Sequence, residues 1–266
     1  MAFSLSSRAL AAGYKLASFD SIGSTNAEAV ARARDGECGP MWFVTSEQIA
    51  GRGRRNRPWI APRGNLASSI LEVIPVSPAV AATLGFAAGL ALEAALRKVS
   101  AEASPGSDKM NFLLKWPNDV LAGPNKLAGI LLEAETIGDD LAVVVGIGTN
   151  VVAAPEGTPT PATSLAGLGV KVGAEELFRE LSDSWTEYRD IWDNGRGFDE
   201  IRVKWLERAA GLDRPVSIQS GASTVEGIFE TIDESGCMMV RTSSGKRVPI
   251  AAGDVYFGLA ASAGAA

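Results

Sequence analysis

Apolar residues occupy most helical faces from Pro78 to about Lys98, with the proline near the start, where its missing N–H costs nothing. A helix greasy on most sides belongs at the centre of a fold. Around it the period shortens. Met41–Ser46 and Leu66–Ile74 read as strands before the helix, and Asn111–Trp116 as a short strand after it, entering the turn Pro117-Asn118-Asp119. Leu127–Glu135 and Leu141–Thr149 read as antiparallel neighbours joined at Gly138-Asp139-Asp140, with Val143–Val145 marking the second as buried. Ser24-Thr25-Asn26-Ala27-Glu28 contains Thr-x-x-Glu, which predicts a capping box opening a helix to about Arg34. Beyond the proline-rich loop Ala153–Ala162, helical periods return at Ala174–Trp192 and Phe198–Ala209.

From about Gly211 the pattern changes to short alternating segments, Pro215–Gln219, Thr224–Ile232, Met238–Thr242 and Arg247–Ile250, separated by Gly, Ser and Asp turns. Four or five strands in about 50 residues predict a small β-barrel module. The chain then divides into a larger domain over 1–210, a small β domain over 211–260 and a disordered Ala/Gly tail over 261–266.

Composition narrows the function. With 46% hydrophobic residues in 266, the chain can bury a real core. The longest greasy stretch, Ala79–Leu92, is 14 residues, short for a bilayer, and the N-terminus lacks a signal-peptide core, so no membrane span is predicted. Two cysteines far apart, Cys38 and Cys237, suit a reducing cytoplasm. The chain has no histidine, which removes Ser-His-Asp and Cys-His catalysis, imidazole proton shuttles and most zinc sites. What remains is Lys, Arg, Asp and Asn chemistry, suited to acyl or phosphoryl transfer, where positioning and charge stabilisation dominate.

Against a formal net charge of −6, residues 51–59 stand out: Gly-Arg-Gly-Arg-Arg-Asn-Arg-Pro-Trp packs four arginines and two glycines before an aromatic. Glycines let backbone approach a ligand, guanidinium groups pair with phosphate oxygens, and an indole can stack on a purine. Solvated surface and a nucleic-acid patch compete with that reading. The balance of 25 Lys+Arg against 31 Asp+Glu gives polyanion binding no help. A dinucleotide-binding turn fails too, because Asn56 stands where the third glycine belongs and Pro58 follows instead of a helix.

Read in order, Ser24-Thr25-Asn26, Gln48 with the Gly51–Trp59 loop, Lys115-Trp116-Pro117-Asn118-Asp119-Val120, Lys126-Leu127-Ala128-Gly129-Ile130-Leu131-Leu132-Glu133 and Gly146-Ile147-Gly148-Thr149-Asn150 resemble the biotin–protein ligase family, and Ala252-Gly253-Asp254-Val255 resembles the end of its C-terminal domain. The resemblance spans residues 15–258. It implies an α+β fold, with a mixed, largely antiparallel central sheet flanked by helices and a small C-terminal SH3-like β-barrel. It implies a two-step reaction: ATP and biotin give biotinyl-5′-AMP, and a lysine of the biotin carboxyl carrier protein of an acyl-CoA carboxylase takes the biotinyl group.

The resemblance also assigns roles. Ser24, Thr25, Asn26 and Gln48 would bond the biotin rings, and Arg52, Gly53 and Arg54 would wrap the carboxylate and phosphate. Arg55, Arg57, Lys115 and Asn150 would join the nucleotide side, Trp59 would stack near adenine, and Asn118 and Asp119 would face nucleotide and Mg²⁺, with Asp119 the metal ligand. Lys126, with Arg52 and Arg54, would stabilise the anionic transition state, while Gly129 and Gly148 would allow close backbone approach. One departure stands in the loop: Asn56 replaces the family's usual glycine, and asparagine tolerates the left-handed region better than most residues. Many relatives carry an N-terminal DNA-binding domain. Only 23 residues precede Ser24, so a monofunctional ligase without specific DNA binding is expected, its oligomeric state left open, a homodimer included. A lipoate or octanoyl ligase or transferase and a non-catalytic biotin sensor are the competing readings.

Overall fold

Successive residues of a strand face opposite sides of a sheet, and along β3 (Leu66–Ile74) both sides are covered, with Ser68, Ser69 and Glu72 buried among apolar neighbours. Ile70 packs into a large core on the side of the long helices, while Leu71 joins a smaller one beneath α2 (Thr25–Arg34). In the computed structural model, which describes residues 2–103, 110–158, 160–221 and 223–257, β3 lies inside a seven-stranded sheet. Its order is β1 (Lys15–Phe19), β2 (Met41–Thr45), β3, β7 (Asp140–Thr149), β6 (Asn125–Ile137), β5 (Asp119–Ala122) and β4 (Phe112–Lys115). β1 and β2 are parallel and the other pairs antiparallel, so the sheet is mixed and largely antiparallel.

The large core lies under α4 (Leu84–Ala103) and α5 (Ala174–Trp192), with α1 (Ser7–Ala11) and α6 (Phe198–Leu206) at its margins. β7 shows the division well: Val143, Val145 and Ile147 face the helices, while Ala142 and Val144 face α2. The apolar helix is longer than its 14-residue greasy stretch suggested. As α3 (Pro78–Ala82) and α4 it spans Pro78–Ala103, with a mean hydropathy of 1.8 over a window that is 72% buried inside the protein. Length and composition alone would let it cross a membrane; here it is the core helix. The break falls at Thr83, whose hydroxyl donates to the Val80 carbonyl at 2.6 Å and accepts from Trp192 Nε1 at 2.8 Å.

Two sequence expectations need correction. The capping box does not form: Ser24, not Thr25, caps α2 by accepting from the Ala27 N–H at 3.3 Å, and Glu28 turns outward to Arg32. Thr25 is already helical, and Gln48 Oε1 accepts its N–H at 2.9 Å. Also, the C-terminal strands do not close. β8 (Pro215–Ser220), β9 (Ser223–Ile232), β10 (Met238–Arg241), β11 (Arg247–Ile250) and β12 (Asp254–Phe257) form an antiparallel sheet in the order β11-β10-β9-β8-β12, not an SH3-like barrel. β12 returns beside β8, with Val255 opposite Ile218, which leaves the four-residue β11 on the other edge. The 261–266 tail lies outside the described residues.

This second sheet is fastened to the first. Trp116 Nε1, on the turn after β4, donates to the Gly236 carbonyl at 3.1 Å, and Phe86 meets Phe198 and Trp205 edge-on close by. That docking brings the start of β12 over the mouth of the larger domain.

Candidate active site

A cavity of about 290 Å³ opens between the N-terminus of α2, the arginine loop, the β4–β5 turn and the start of β12. Of the residues singled out in the sequence, Ser24, Thr25, Asn26, Gln48, Arg52, Gly53, Arg54, Arg57, Trp59, Lys115, Asn118, Asp119, Lys126, Gly129, Gly148 and Asn150 line it. Arg55 does not: its guanidinium turns to Asp254 at 2.9 Å.

One end is uncharged and polar. The Ser69 hydroxyl, fully buried on β3, bonds Thr25 Oγ1 at 2.7 Å and Asn26 Oδ1 at 2.6 Å. Asn26 Nδ2 donates to Glu133 Oε2 at 2.8 Å, so both ends of this amide face protein groups. Gly146 makes room for it, since a Cβ there would overlap the Asn26 amide.

In the middle lies Trp59. Its indole covers Gly148, where a Cβ would stand 2.6 Å from Cε2, and reaches Gly129, where a Cβ would stand 3.2 Å from Cζ3. Gly51 completes the fit, with space for a Cβ denied by the Trp59 carbonyl at 2.6 Å. These glycines are needed for close approach. The loop also uses the left-handed region: Arg55 and Asn56 both have φ 56°, so Asn56 adopts the conformation that its glycine-like position demands, while Arg55 holds it at a steric cost of about 1–2 kcal/mol.

The other end is cationic. Lys126 Nζ sits 2.6 Å from Asp119 Oδ1 and 5.6 Å over the Trp59 ring. Arg54 donates to Asn118 Oδ1 at 2.8 Å, and Asn118 Nδ2 in turn donates to the Ile130 carbonyl at 2.8 Å, which fixes the amide's orientation. Burial pushes the Arg54 guanidinium below its ordinary pKa, partly opposed by Asp254 and Asp119. Burial lowers Lys115 too, opposed by Asp119 and abetted by Lys126; its ammonium lies 5.3 Å over the Phe257 ring. Among the described residues the lining carries Arg52, Arg54, Arg57, Lys115 and Lys126 against Asp119 and Asp254, five cations to two carboxylates. Cations in excess, with Arg54 and Lys115 among them largely buried, attract an anion.

Sequence reasoning missed three contributors. Ser69 is an unremarkable serine in an apolar strand, and only the tertiary contact reveals it. Glu133 ends a recognised motif but received no role, although its carboxylate meets both Asn26 and, at 3.5 Å, Arg52. Asp254 was legible as part of Ala-Gly-Asp-Val, yet nothing in the sequence tied it to the loop arginines 197–199 residues away, where it pairs with Arg57 at 2.8 Å and Arg55 at 2.9 Å. No cluster of three or more His, Cys, Asp or Glu fit to hold a metal occurs among the described residues.

A polar pocket running into a cationic one, built on a mixed sheet with a small antiparallel sheet at its mouth, defines a ligase of the biotin and lipoate class. Residues 37–150 match the Biotin/lipoate A/B protein ligase family, and residues 211–258 match the Biotin protein ligase C terminal domain. The chain is 40% identical over 242 residues to the biotin–acetyl-CoA-carboxylase ligase of Paracoccus denitrificans, covering 88% of this chain and 97% of that one. It is 35% identical to the enzyme of the same name from Mycobacterium tuberculosis, covering 88% and 85%. The solved biotin protein ligase of Aquifex aeolicus in complex with biotin and ATP superposes with a TM-score of 0.74 at 25% identity, covering 92% of this chain and 99% of that one. The chain belongs to the biotin protein ligase family.

Proposed function

We propose that this protein activates biotin with ATP and transfers it to a lysine of a biotin carboxyl carrier protein. In the first step a biotin carboxylate oxygen attacks the α-phosphorus, the bond to the β-phosphate bridge breaks, and pyrophosphate leaves. In the second the carrier's lysine amine attacks the acyl carbon, the bond to AMP breaks, and the amine loses its proton. Both steps move negative charge through the place where Lys126 and Arg54 meet Asn118 and Asp119. The observation that carries the reading is the cavity's polarity: Arg54, Lys115 and Lys126 gathered at one end and an uncharged hydrogen-bonding surface of Ser24, Thr25 and Gln48 at the other, with Trp59 between and Arg52 reaching Glu133 beside Asn26.

In this reading the polar end takes the biotin rings, Arg52 and Arg54 hold carboxylate and phosphate, and Trp59 lies against the adenine. Mg²⁺ would arrive with the triphosphate, held largely by phosphate oxygens and water, with Asp119 as its protein carboxylate; a metal bound this way needs no protein cage. It would supply charge neutralisation at the phosphates. Residues 1–210 serve as the catalytic unit and 211–260 as a small domain that completes the cavity through Gly253 and Asp254. The reading carries with it a cytoplasmic enzyme with no specific DNA or membrane partner, supported by the acidic net charge and two free cysteines. Light scattering reads whether it works as a homodimer.

Incubation with ATP, Mg²⁺ and radiolabelled biotin, with lipoic and octanoic acids in parallel, tests the assignment. Biotinyl adenylate, discharged onto an added carrier domain, is expected. Adenylation of lipoate in preference to biotin, or biotin binding without adenylate, would overturn it.

A further inference from the structure

Glu133 lines no part of the cavity, yet it stands at the head of a hydrogen-bond relay that ends there. Carboxylate oxygens only accept, so Glu133 Oε2 at 2.8 Å, with the longer contact to the Leu131 carbonyl at 3.4 Å as a minor partner, fixes Asn26 with Nδ2 toward it, and Asn26 Oδ1 must face Ser69. The Ser69 hydroxyl has one proton. Directed to Asn26 Oδ1 at 2.6 Å, it leaves Ser69 Oγ to accept from Thr25 Oγ1 at 2.7 Å. The Thr25 proton is thereby drawn inward to the shorter contact and away from Gln48 Oε1, which lies 3.2 Å from Thr25 Oγ1 and is held by the Thr25 N–H at 2.9 Å. Thr25 Oγ1 is then an acceptor toward the cavity. Ser69 is fully buried and Thr25 and Asn26 nearly so, which shields the inner members of the relay from water, while Glu133 at its head is half-buried.

We infer that Glu133 is a positioning residue which sets the donor and acceptor polarity of the acid-binding end through Asn26, Ser69 and Thr25, so that this end selects a ligand offering an N–H to Thr25. The inference rests on the ligase reading, in which that ligand is the cyclic urea of biotin. The 3.5 Å contact of Glu133 with Arg52 is exposed and contributes little by comparison.

The test is adenylate formation by wild type, Glu133→Ala, Glu133→Gln and Ser69→Ala, with KM measured separately for biotin and ATP and melting followed for each. Glutamine can turn Oε1 to Asn26 and keep the relay's direction; alanine cannot. Glu133→Ala is expected to raise the biotin KM about 10- to 100-fold with the ATP KM changed less than about threefold, as loss of one charge-assisted hydrogen bond would. Glu133→Gln should restore the biotin KM to within about threefold, and Ser69→Ala, which breaks the same relay one step on, should raise it without moving the ATP KM. If Glu133→Ala does not fold, Ser69→Ala and Glu133→Gln decide the matter. Equal loss for both substrates, no recovery with glutamine, or an unchanged biotin KM in Ser69→Ala overturns the inference while wild type is active. A wild type that forms no biotinyl adenylate overturns the ligase reading and this inference with it.

Discussion

Trp59 rests on Gly148 so closely that a single added methyl would stand 2.6 Å from the indole. Two residues from different parts of the chain, one on the arginine loop and one on β7, thus share one van der Waals surface. Gly148→Ala should displace the indole and weaken nucleotide binding. Trp59→Ala should weaken ATP binding by about 1–3 kcal/mol, the range for an aromatic stacking on a base, with less effect on biotin alone. The double variant should lose little more than Trp59→Ala, because the two share one contact. Calorimetric titration with ATP checks all three, and additive losses would show that Gly148 acts elsewhere.

Lys126→Ala should slow adenylate formation far more than it weakens ATP binding. A cation placed against the reacting oxygens acts chiefly in the transition state, where its loss costs about 2–4 kcal/mol, roughly 30- to 1000-fold in rate. The variant also leaves Asp119 without its 2.6 Å partner, which adds a negative charge where charge must be neutralised. Single-turnover kinetics with labelled biotin separate rate from binding. Wild-type turnover would remove Lys126 from the chemistry.

Asp254 joins Arg55 and Arg57 across the two sheets, and those cations overcome the opposing effect of burial to hold its pKa below the ordinary carboxylate value. A depressed carboxylate contributes its full stabilisation above the ordinary value and loses it as pH falls through the lowered one. Tryptic cleavage in the loop should therefore accelerate in acid. Asp254→Asn should cleave roughly two- to fivefold faster at neutral pH, as expected for partly exposed ion pairs, and should lose that pH dependence. Biotin with ATP should protect the loop in wild type, since bound phosphates would add to the anionic partners that Asp254 and Glu133 already give its arginines. Cleavage indifferent to ligands would count against loop closure.

Arg54→Gly should make the enzyme leaky. Arg54 ties the loop to Asn118 at 2.8 Å, and losing that link while adding backbone freedom should speed escape of the adenylate, which reacts with any lysine it meets. The variant should biotinylate an unrelated lysine-rich protein in proportion to its concentration. Carrier labelling that continues without bystander labelling would show that Arg54 does not retain the intermediate.

Local order was readable because local chemistry sets it. Leu66–Ile74 and Ala174–Trp192 appear in the structure with the bounds their periodicity suggested. The arginine loop, Lys115–Val120 and Lys126–Glu133 pointed to a nucleotide site only together, through their joint resemblance to the biotin–protein ligase family, since each alone reads as ordinary surface or core. β1 and β5 were not legible. β5 is four residues, Asp-Val-Leu-Ala, half hidden in a turn signal, and β1 alternates too weakly, its pairing with β2 being non-local.

What the sequence determined by itself was the kind of chemistry: no histidine, an excess of arginine in one loop, and glycines wherever backbone must approach something large. Tertiary structure decided which groups meet. It placed Ser24, not Thr25, at the head of α2, opened the expected barrel into a sheet, and set Asp254 against arginines 197–199 residues away. It also brought Glu133 to Asn26 and Ser69 to Thr25. The reason is physical. A side chain's composition and spacing fix what it can donate, accept or repel, but hydrogen bonds and ion pairs act over about 3 Å, and only the folded chain brings distant residues within that range.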